Sequence, residues 1–407
     1  MSIPKHLPIL LLGLAWTAAM AQTRLGPEEV TRMALDGNPE LRAARQILGE
    51  ATARLRGSGR LSNPELGVEV AGGRDWEGRV EVGLTQWFPV TSRLRWERRL
   101  SELELAMARC EVAGRELEIV GAAQTAWVEL AAAQEAVRLV ERQVQLAESE
   151  AAAFRKQALE GTASAPEAGS RILAAGEIGL QGAEVKAAEA QAAAKLATLL
   201  GLPADRSLIA PRLTLPDSLP AQTTALRRPD LQLAELALEA GAADVALARA
   251  SRWQDVGVGF FAEGERNRDE PEGIDTEGLL GLRATVPLPL WQNGRARVTE
   301  KEAGRIRREH HLAALRLAAG NEATAAWRMM KIRYEAARQS AELLPAARRN
   351  LAEYEAAHQR GEIGPSEVFR ARERLAALER ADIEARRAFF LARIQWRLAT
   401  GSLFSRP

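Results

Sequence analysis

Few of the chain's residues are grouped in ways that do covalent chemistry. His310 and His311 are adjacent, as are Met329 and Met330. Neighbours on a helix point apart, whereas a helical metal site needs ligands three or four residues apart, so neither pair reads as a metal site. The one cysteine, Cys110, has no partner for a disulfide within the chain. No HExxH, P-loop, GxSxG or paired-cysteine motif occurs, so the residue types point to no catalysis and no cofactor. What does recur is carboxylate beside a break in a helix. FRKQALEGTASAPE (Phe154 to Glu167) and YEAAHQRGEIGPSE (Tyr354 to Glu367) each interrupt a long, alanine-rich, charged run, and each places glycine seven residues after an aromatic. Glu160 and Glu167 flank Gly161, while Glu362 and Glu367 follow Gly361. Repeated around a symmetry axis, such carboxylates form rings that draw cations to a mouth. A glutamate in a helix's first turn also complements the helix dipole, which accounts for Glu167 and Glu367 without any pore. Glu160 and Glu362 are the stronger entrance candidates.

The two breaks belong to one unit written twice. Trp127 matches Trp327, Phe154 matches Tyr354, Gly161 matches Gly361, Glu167 matches Glu367 and Gly201 matches Gly401, all at an offset of 200. Upstream the offset is 190, pairing Pro39, Glu40 and Leu41 with Pro229, Asp230 and Leu231. Alanine-rich helices produce chance matches, but paired Trp, Pro and Gly at constant spacing do not follow from composition.

Each copy reads helix, strand, strand, helix, break, helix. The strands show period-two alternation: Leu66, Val68 and Val70 against Glu65, Gly67 and Glu69, then Val80, Val82 and Leu84 against Arg79, Glu81, Gly83 and Thr85. The second copy supplies Asp255 to Glu263 and Gly278 to Val286, joined by a polar loop from Gly264 to Glu277. Soluble hairpins would alternate in this way too. Strands of about 9 to 11 residues also cross a bilayer when tilted, and four per chain cannot close a barrel alone, so a membrane role demands an oligomer. In that case Glu69, Glu81 and Arg283 face a wet lumen, and Trp87, Phe88 and Trp291 at strand ends suit an interfacial belt or ordinary packing beneath it.

The helices set the frame for these strands. A run from about Ser92 to Glu160 has roughly 69 residues, near 100 Å at 1.5 Å per residue, and helices from about Pro27 to Leu61 and Glu167 to Leu200 match it when laid end to end. The second copy offers a long helix from about Gly294 to Arg360 and shorter ones from about Thr223 to Trp253 and Glu367 to Thr400. This is a cylinder wall with a seam at the proline-rich stretch from Gly201 to Gln222, where alanines permit close helix approach and Leu139 and Leu146 fit coiled-coil seams. The chain's 407 residues are 46% hydrophobic but 5% aromatic, which suits long helices better than one thick core. A net charge of +1 gives no basis for nucleic-acid binding. Residues 1–21 have the basic start, apolar stretch and small residues of an export signal. The expected organisation is therefore signal peptide 1–21; a first repeat 22–210 with hairpin 65–88 and tip 161–167; a connector 211–222; a second repeat 223–401 with hairpin 255–286 and tip 361–367; and a tail 402–407.

With these features in place, the mature chain resembles the TolC-type outer-membrane efflux proteins. The specific matches are NPEL (Asn38 to Leu41), RPDL (Arg228 to Leu231), NPELGVEV (Asn63 to Val70), VPLPLWQNGRAR (Val286 to Arg297) and LLGLP (Leu199 to Pro203). ALRRPDL, WQDVGVGF and VPLPLW look most like the heavy-metal subgroup, with cation-efflux partners of the cobalt, zinc and cadmium type. The resemblance implies a mainly α fold with a small membrane β part: a long antiparallel helical coiled-coil barrel plus four transmembrane strands per chain, closed as a homotrimer with a twelve-stranded β-barrel in outer-membrane lipid and a twelve-helix periplasmic tunnel. It further implies passive export with a periplasmic adaptor and an inner-membrane RND-type pump, no enzymatic activity, and an adaptor-contacting entrance at Gly161 to Glu167 and Gly361 to Glu367. The rival functions are a periplasmic adaptor and a structural coiled coil of the envelope.

Overall fold

Prolines and left-handed glycines set where the helices start and stop. In a computed structural model, which describes residues 23–72, 78–203, 205–223, 226–269, 273–291 and 293–403, the first copy runs β1 (Thr23–Arg24), α1 (Pro27–Gly37), α2 (Pro39–Gly57), β2 (Glu65–Gly72), β3 (Gly78–Phe88), α3 (Arg93–Leu159), α4 (Ala165–Leu200) and β4 (Leu208–Ile209). The second runs α5 (Pro229–Ala250), β5 (Val256–Asp269), β6 (Gly273–Thr285), α6 (Arg295–Gln359) and α7 (Pro365–Thr400). The export signal and the turn at 74–77 lie outside the described residues.

Two of the expected helices are shorter than their apolar pattern suggests. The helix expected from Pro27 to Leu61 is broken at Asn38, which is extended (φ −66°, ψ 123°) because the following proline disfavours the α region. The helix expected from Thr223 starts only at Pro229, after an extended Arg228, the counterpart of Asn38. The loop expected from Gly264 to Glu277 is also largely strand: β5 and β6 remain paired out to Asp269 and Gly273. Apart from Ile274 both faces are polar or glycine there, so the hydrophobic alternation that marks a half-buried strand is missing although the backbone ladder continues.

The described residues form two compact units, and each draws on both sequence copies. One unit lies within 1–38, 122–219 and 331–392. Its core gathers Leu25, Val30, Ala34, Leu130, Leu196 and Phe389. Trp127 Nε1 donates to the Leu25 carbonyl at 2.7 Å, and Gln134 pins β4 by donating to Leu208 O (2.8 Å) and accepting from Ala210 N–H (3.0 Å). The buried Arg386 joins Glu135 (2.6 Å), Asp382 (2.9 Å) and the Leu213 carbonyl, so the connector is fastened to α3 and α7 by a satisfied ionic cluster.

The other unit lies within 39–121, 220–330 and 393–407 and carries the main sheet, antiparallel in the order β2-β3-β5-β6. Arg93 at the start of α3 grips Asp255 just ahead of β5 through Nε (3.2 Å) and Nη2 (2.5 Å). Trp96, Leu100 and Met107 on α3 and Leu236 on α5 pack around Leu103, Ala240 and Ala243.

One joint occurs in both copies. α4 ends on Gly201 (φ 67°) and α7 on Gly401 (φ 70°), with Leu202 N–H closing on Ala197 O and Ser402 N–H on Arg397 O, the Schellman pattern. A Cβ on Gly201 would sit 2.3 Å from Gly37 O, and one on Gly401 would sit 2.3 Å from Arg227 O. Side chains seal both joints: Asn38 Nδ2 donates to Leu199 O at 3.0 Å, and Arg228 Nη1 to Ala399 O at 3.4 Å. Gly201→Ala and Gly401→Ala should each cost about 1–3 kcal/mol through strain and contact, read as a lowered thermal midpoint. Gly179→Ala, in the open interior of α4, should be neutral or stabilising by up to about 1 kcal/mol.

Candidate functional site

The sheet has two chemically opposite faces. Its three pairings run without a bulge, so strict alternation sets each residue's side. One face presents Leu66, Val70, Val82, Phe260, Leu280 and Leu282 to solvent, with Leu280 and Leu282 83% and 86% exposed. The other face carries Glu65, Glu69, Glu81, Glu263, Glu265, Asp275 and Glu277 against Arg79 and Arg283. No strand pairs with the outer edge of β2 or β6 among the described residues.

On the polar face the structure brings Glu81 and Arg283 together and leaves Glu69 exposed. Glu81, only 3% exposed, accepts from Arg283 at 2.6 Å and from Arg79 at 3.0 Å, while Arg79 also lies 2.9 Å from Glu263. Arg79 is a member that the sequence pattern placed on this face without assigning it a role. Among the aromatic candidates, Phe88 lies on the apolar face and Trp291 is 90% exposed after β6. Trp87 departs from the expected belt: alternation turns it to the polar face, where a Cβ on Gly257 would meet its ring at 3.0 Å.

The two helix-hairpin turns share a backbone and differ in side chains. Gly161 (φ 77°) and Gly361 (φ 76°) occupy the left-handed position, and Thr162 N–H and Glu362 N–H return to Gln157 O and Ala357 O. In the first turn Ser164 and Glu167 form a capping box: Glu167 N–H donates to Ser164 Oγ at 3.3 Å, and the Glu167 carboxylate accepts from Ser164 N–H at 3.1 Å. The Ser164 hydroxyl, which also donates to that carboxylate at 2.8 Å, and then the Ser164 N–H hold the Glu167 carboxyl below its usual range. The Ser-x-x-Glu spacing was the available sequence signal for this cap. In the second turn Gly364 replaces the capping serine, and Glu367 lies 3.6 Å from Arg370 instead.

The entrance candidates are unequal as well. Glu362 is gripped by Arg360 through two bonds of 2.6 and 2.9 Å, which lowers its carboxyl, while Glu160 stays exposed with Lys156 at 3.8 Å. Behind the turns, the Arg171 guanidinium stacks between Phe154 (5.2 Å) and Phe369 (4.2 Å), and Arg372 bridges Glu150 and Glu355. These contacts tie α3 and α4 to α6 and α7.

Residues 221–402 match the family model described as outer membrane efflux protein. In three dimensions the chain is similar to CusC, studied for conformational changes accompanying folding and transmembrane channel formation (TM-score 0.72, 18% identity, 95% of each chain covered). It is likewise similar to the CmeC outer membrane channel of Campylobacter jejuni (TM-score 0.75, 14% identity, covering 100% of this chain and 95% of that one). A third is the outer membrane protein VceC of Vibrio cholerae (TM-score 0.71, 18% identity, 92% and 96% covered). Among curated protein sequences none matches significantly.

Removing the cap tests the assignment at the first turn. Because the folded Glu167 carboxyl titrates below its ordinary value of about 4.3, its stabilising share is present above that pH and is lost as pH falls through the folded value. Ser164→Ala should return the Glu167 titration toward the ordinary value by carboxylate NMR, and should speed amide exchange in the first turn of α4.

Proposed function

From the match of residues 221–402 to the outer membrane efflux protein model and the fold that the whole chain shares with solved channels, we propose that this protein is the outer-membrane component of a tripartite efflux system. Three copies bring their four-stranded sheets edge to edge into a twelve-stranded barrel, and their helices form a periplasmic tunnel. The channel conducts passively. Energy and cargo selection belong to an inner-membrane RND-type pump, which hands cargo through a periplasmic adaptor seated at the turns around Gly161 and Gly361.

The sheet carries this reading: one apolar face, one polar face and two edges without partners among the described residues. Backbone groups at an edge have no water to pair with in hydrocarbon, so such a sheet is stable in a bilayer only when closed on itself or on copies. A periplasmic adaptor or a structural coiled coil has no use for the exposed apolar face. The location is the outer membrane, with the helical tunnel in the periplasm. On the polar face, among the described side chains, carboxylates outnumber guanidiniums and both guanidiniums are bound to carboxylates, which supports cationic cargo, metal ions included.

Deleting the gene should sensitise cells to divalent metals, with resistance restored by the wild-type copy. Charge reversal at the exposed entrance, Glu160→Lys together with Glu362→Lys, should reduce that rescue while trimers still form in the outer-membrane fraction. Sensitivity confined to dyes or antibiotics would reassign the cargo. A soluble monomer would sink the channel.

A further inference from the structure

One cross-strand row on the polar face of the sheet is built unlike its neighbours. Across the register, Gly67 on β2, Gly83 on β3, Phe261 on β5 and Gly281 on β6 lie side by side, so four strands carry one side chain at this level. That side chain lies flat. A Cβ on Gly281 would meet the Phe261 ring at 2.5 and 2.6 Å, so the ring occupies the space directly above bare backbone. On the other side, a Cβ on Gly83 would come within 3.3 Å of Phe261 Cβ.

The ring is also covered. The Arg283 guanidinium sits 4.9 Å from the ring centroid while donating to Glu81 at 2.6 Å, and Arg79 holds Glu81 from the far side at 3.0 Å. An aromatic bedded on a cross-strand glycine is a recognised way to protect exposed sheet backbone, and a cation over its face adds attraction. Trp87 over Gly257 repeats the device nearer the helices, where a Cβ would meet the ring at 3.0 Å.

We propose that Phe261 sets the bore of the channel, with Gly281 as the bed that keeps its ring against the wall; the inference rests on the channel reading above. In a closed trimer each copy contributes one such row of glycines, interrupted by a single flattened phenylalanine, so the wall along it is bare backbone. A side chain at 281 takes the ring's place. The sheet blocks the space beneath, so the ring turns over Gly83 or rises toward the axis, and three copies rising together narrow the pore.

The test is single-channel conductance of the purified full-length protein in planar lipid bilayers. Gly281→Val should lower conductance by about a third to a half and shrink the largest poly(ethylene glycol) that enters, since pore diameter governs both. Phe261→Ala should conduct at least as well as wild type. The double variant should recover, because no ring remains to displace. Gly281→Ala, whose single methyl already collides with the ring, serves if the valine variant fails to assemble. A conducting wild type with trimeric Gly281 variants of unaltered conductance and polymer cut-off overturns the assignment to Phe261 alone. A double variant as narrow as Gly281→Val also overturns it. A wild-type trimer that conducts nothing overturns the channel reading and this inference with it.

Discussion

The backbone hydrogen bonds at the edges of one sheet set the main constraint on this architecture. The order β2-β3-β5-β6 leaves β2 and β6 with open ladders, and the face that would meet a bilayer is lined with Leu66, Val70, Leu280 and Leu282. In water such edges could be solvated, but the apolar face could not; in lipid the face is at home and the edges are intolerable. Copies joining edge to edge satisfy both demands. The bulge-free pairing serves the same end, since a one-residue slip of β6 would turn Leu280 and Leu282 to the polar face and Asp275 and Glu277 to the apolar one.

The helices meet a different demand, that of joining segments without leaving orphaned carbonyls. Gly201 against Gly37 and Gly401 against Arg227 are the same joint made twice, each so close that a Cβ on the glycine would lie 2.3 Å from the facing carbonyl oxygen. Gly161 and Gly361 solve the turn problem in the same manner and with nearly equal φ. The backbone solution is thus duplicated while the side chains have diverged. Ser164 caps with Glu167 where Gly364 leaves Glu367 to Arg370, and Glu160 is open where Glu362 is clamped. The two turns therefore present different charges at the proposed entrance although they share one fold.

Much of this was legible in the residues themselves. Period-two alternation located β2, β3 and the apolar parts of β5 and β6, and the constant offset between copies identified the paired turns. Three things were hidden. Asn38 breaks a helix through its proline neighbour, an effect that hydrophobic periodicity does not register. The tips of β5 and β6 extend into residues that, Ile274 apart, are polar or glycine on both faces, where the pattern that reveals a strand vanishes. The Arg79–Glu263 and Arg283–Glu81 ion pairs depend on β3 lying beside β5, a contact between the two copies that no local signal encodes. Trp87 and Phe88, neighbours at a strand end, point to opposite faces, and Trp87 packs over Gly257.

Edge pairing between copies is the central claim, and disulfide trapping reads it directly. With Cys110 replaced by alanine, Val68→Cys on β2 would be combined in turn with single cysteines across β6 from Gly278 to Ala284, and the outer-membrane protein oxidised in place. Those cysteines sit on opposite edges of one sheet, beyond disulfide reach within a chain. The account predicts a covalent ladder ending at three chains for one narrow register of pairs, and no ladder for any single cysteine. Monomers at every register, or ladders running past three chains, would contradict it.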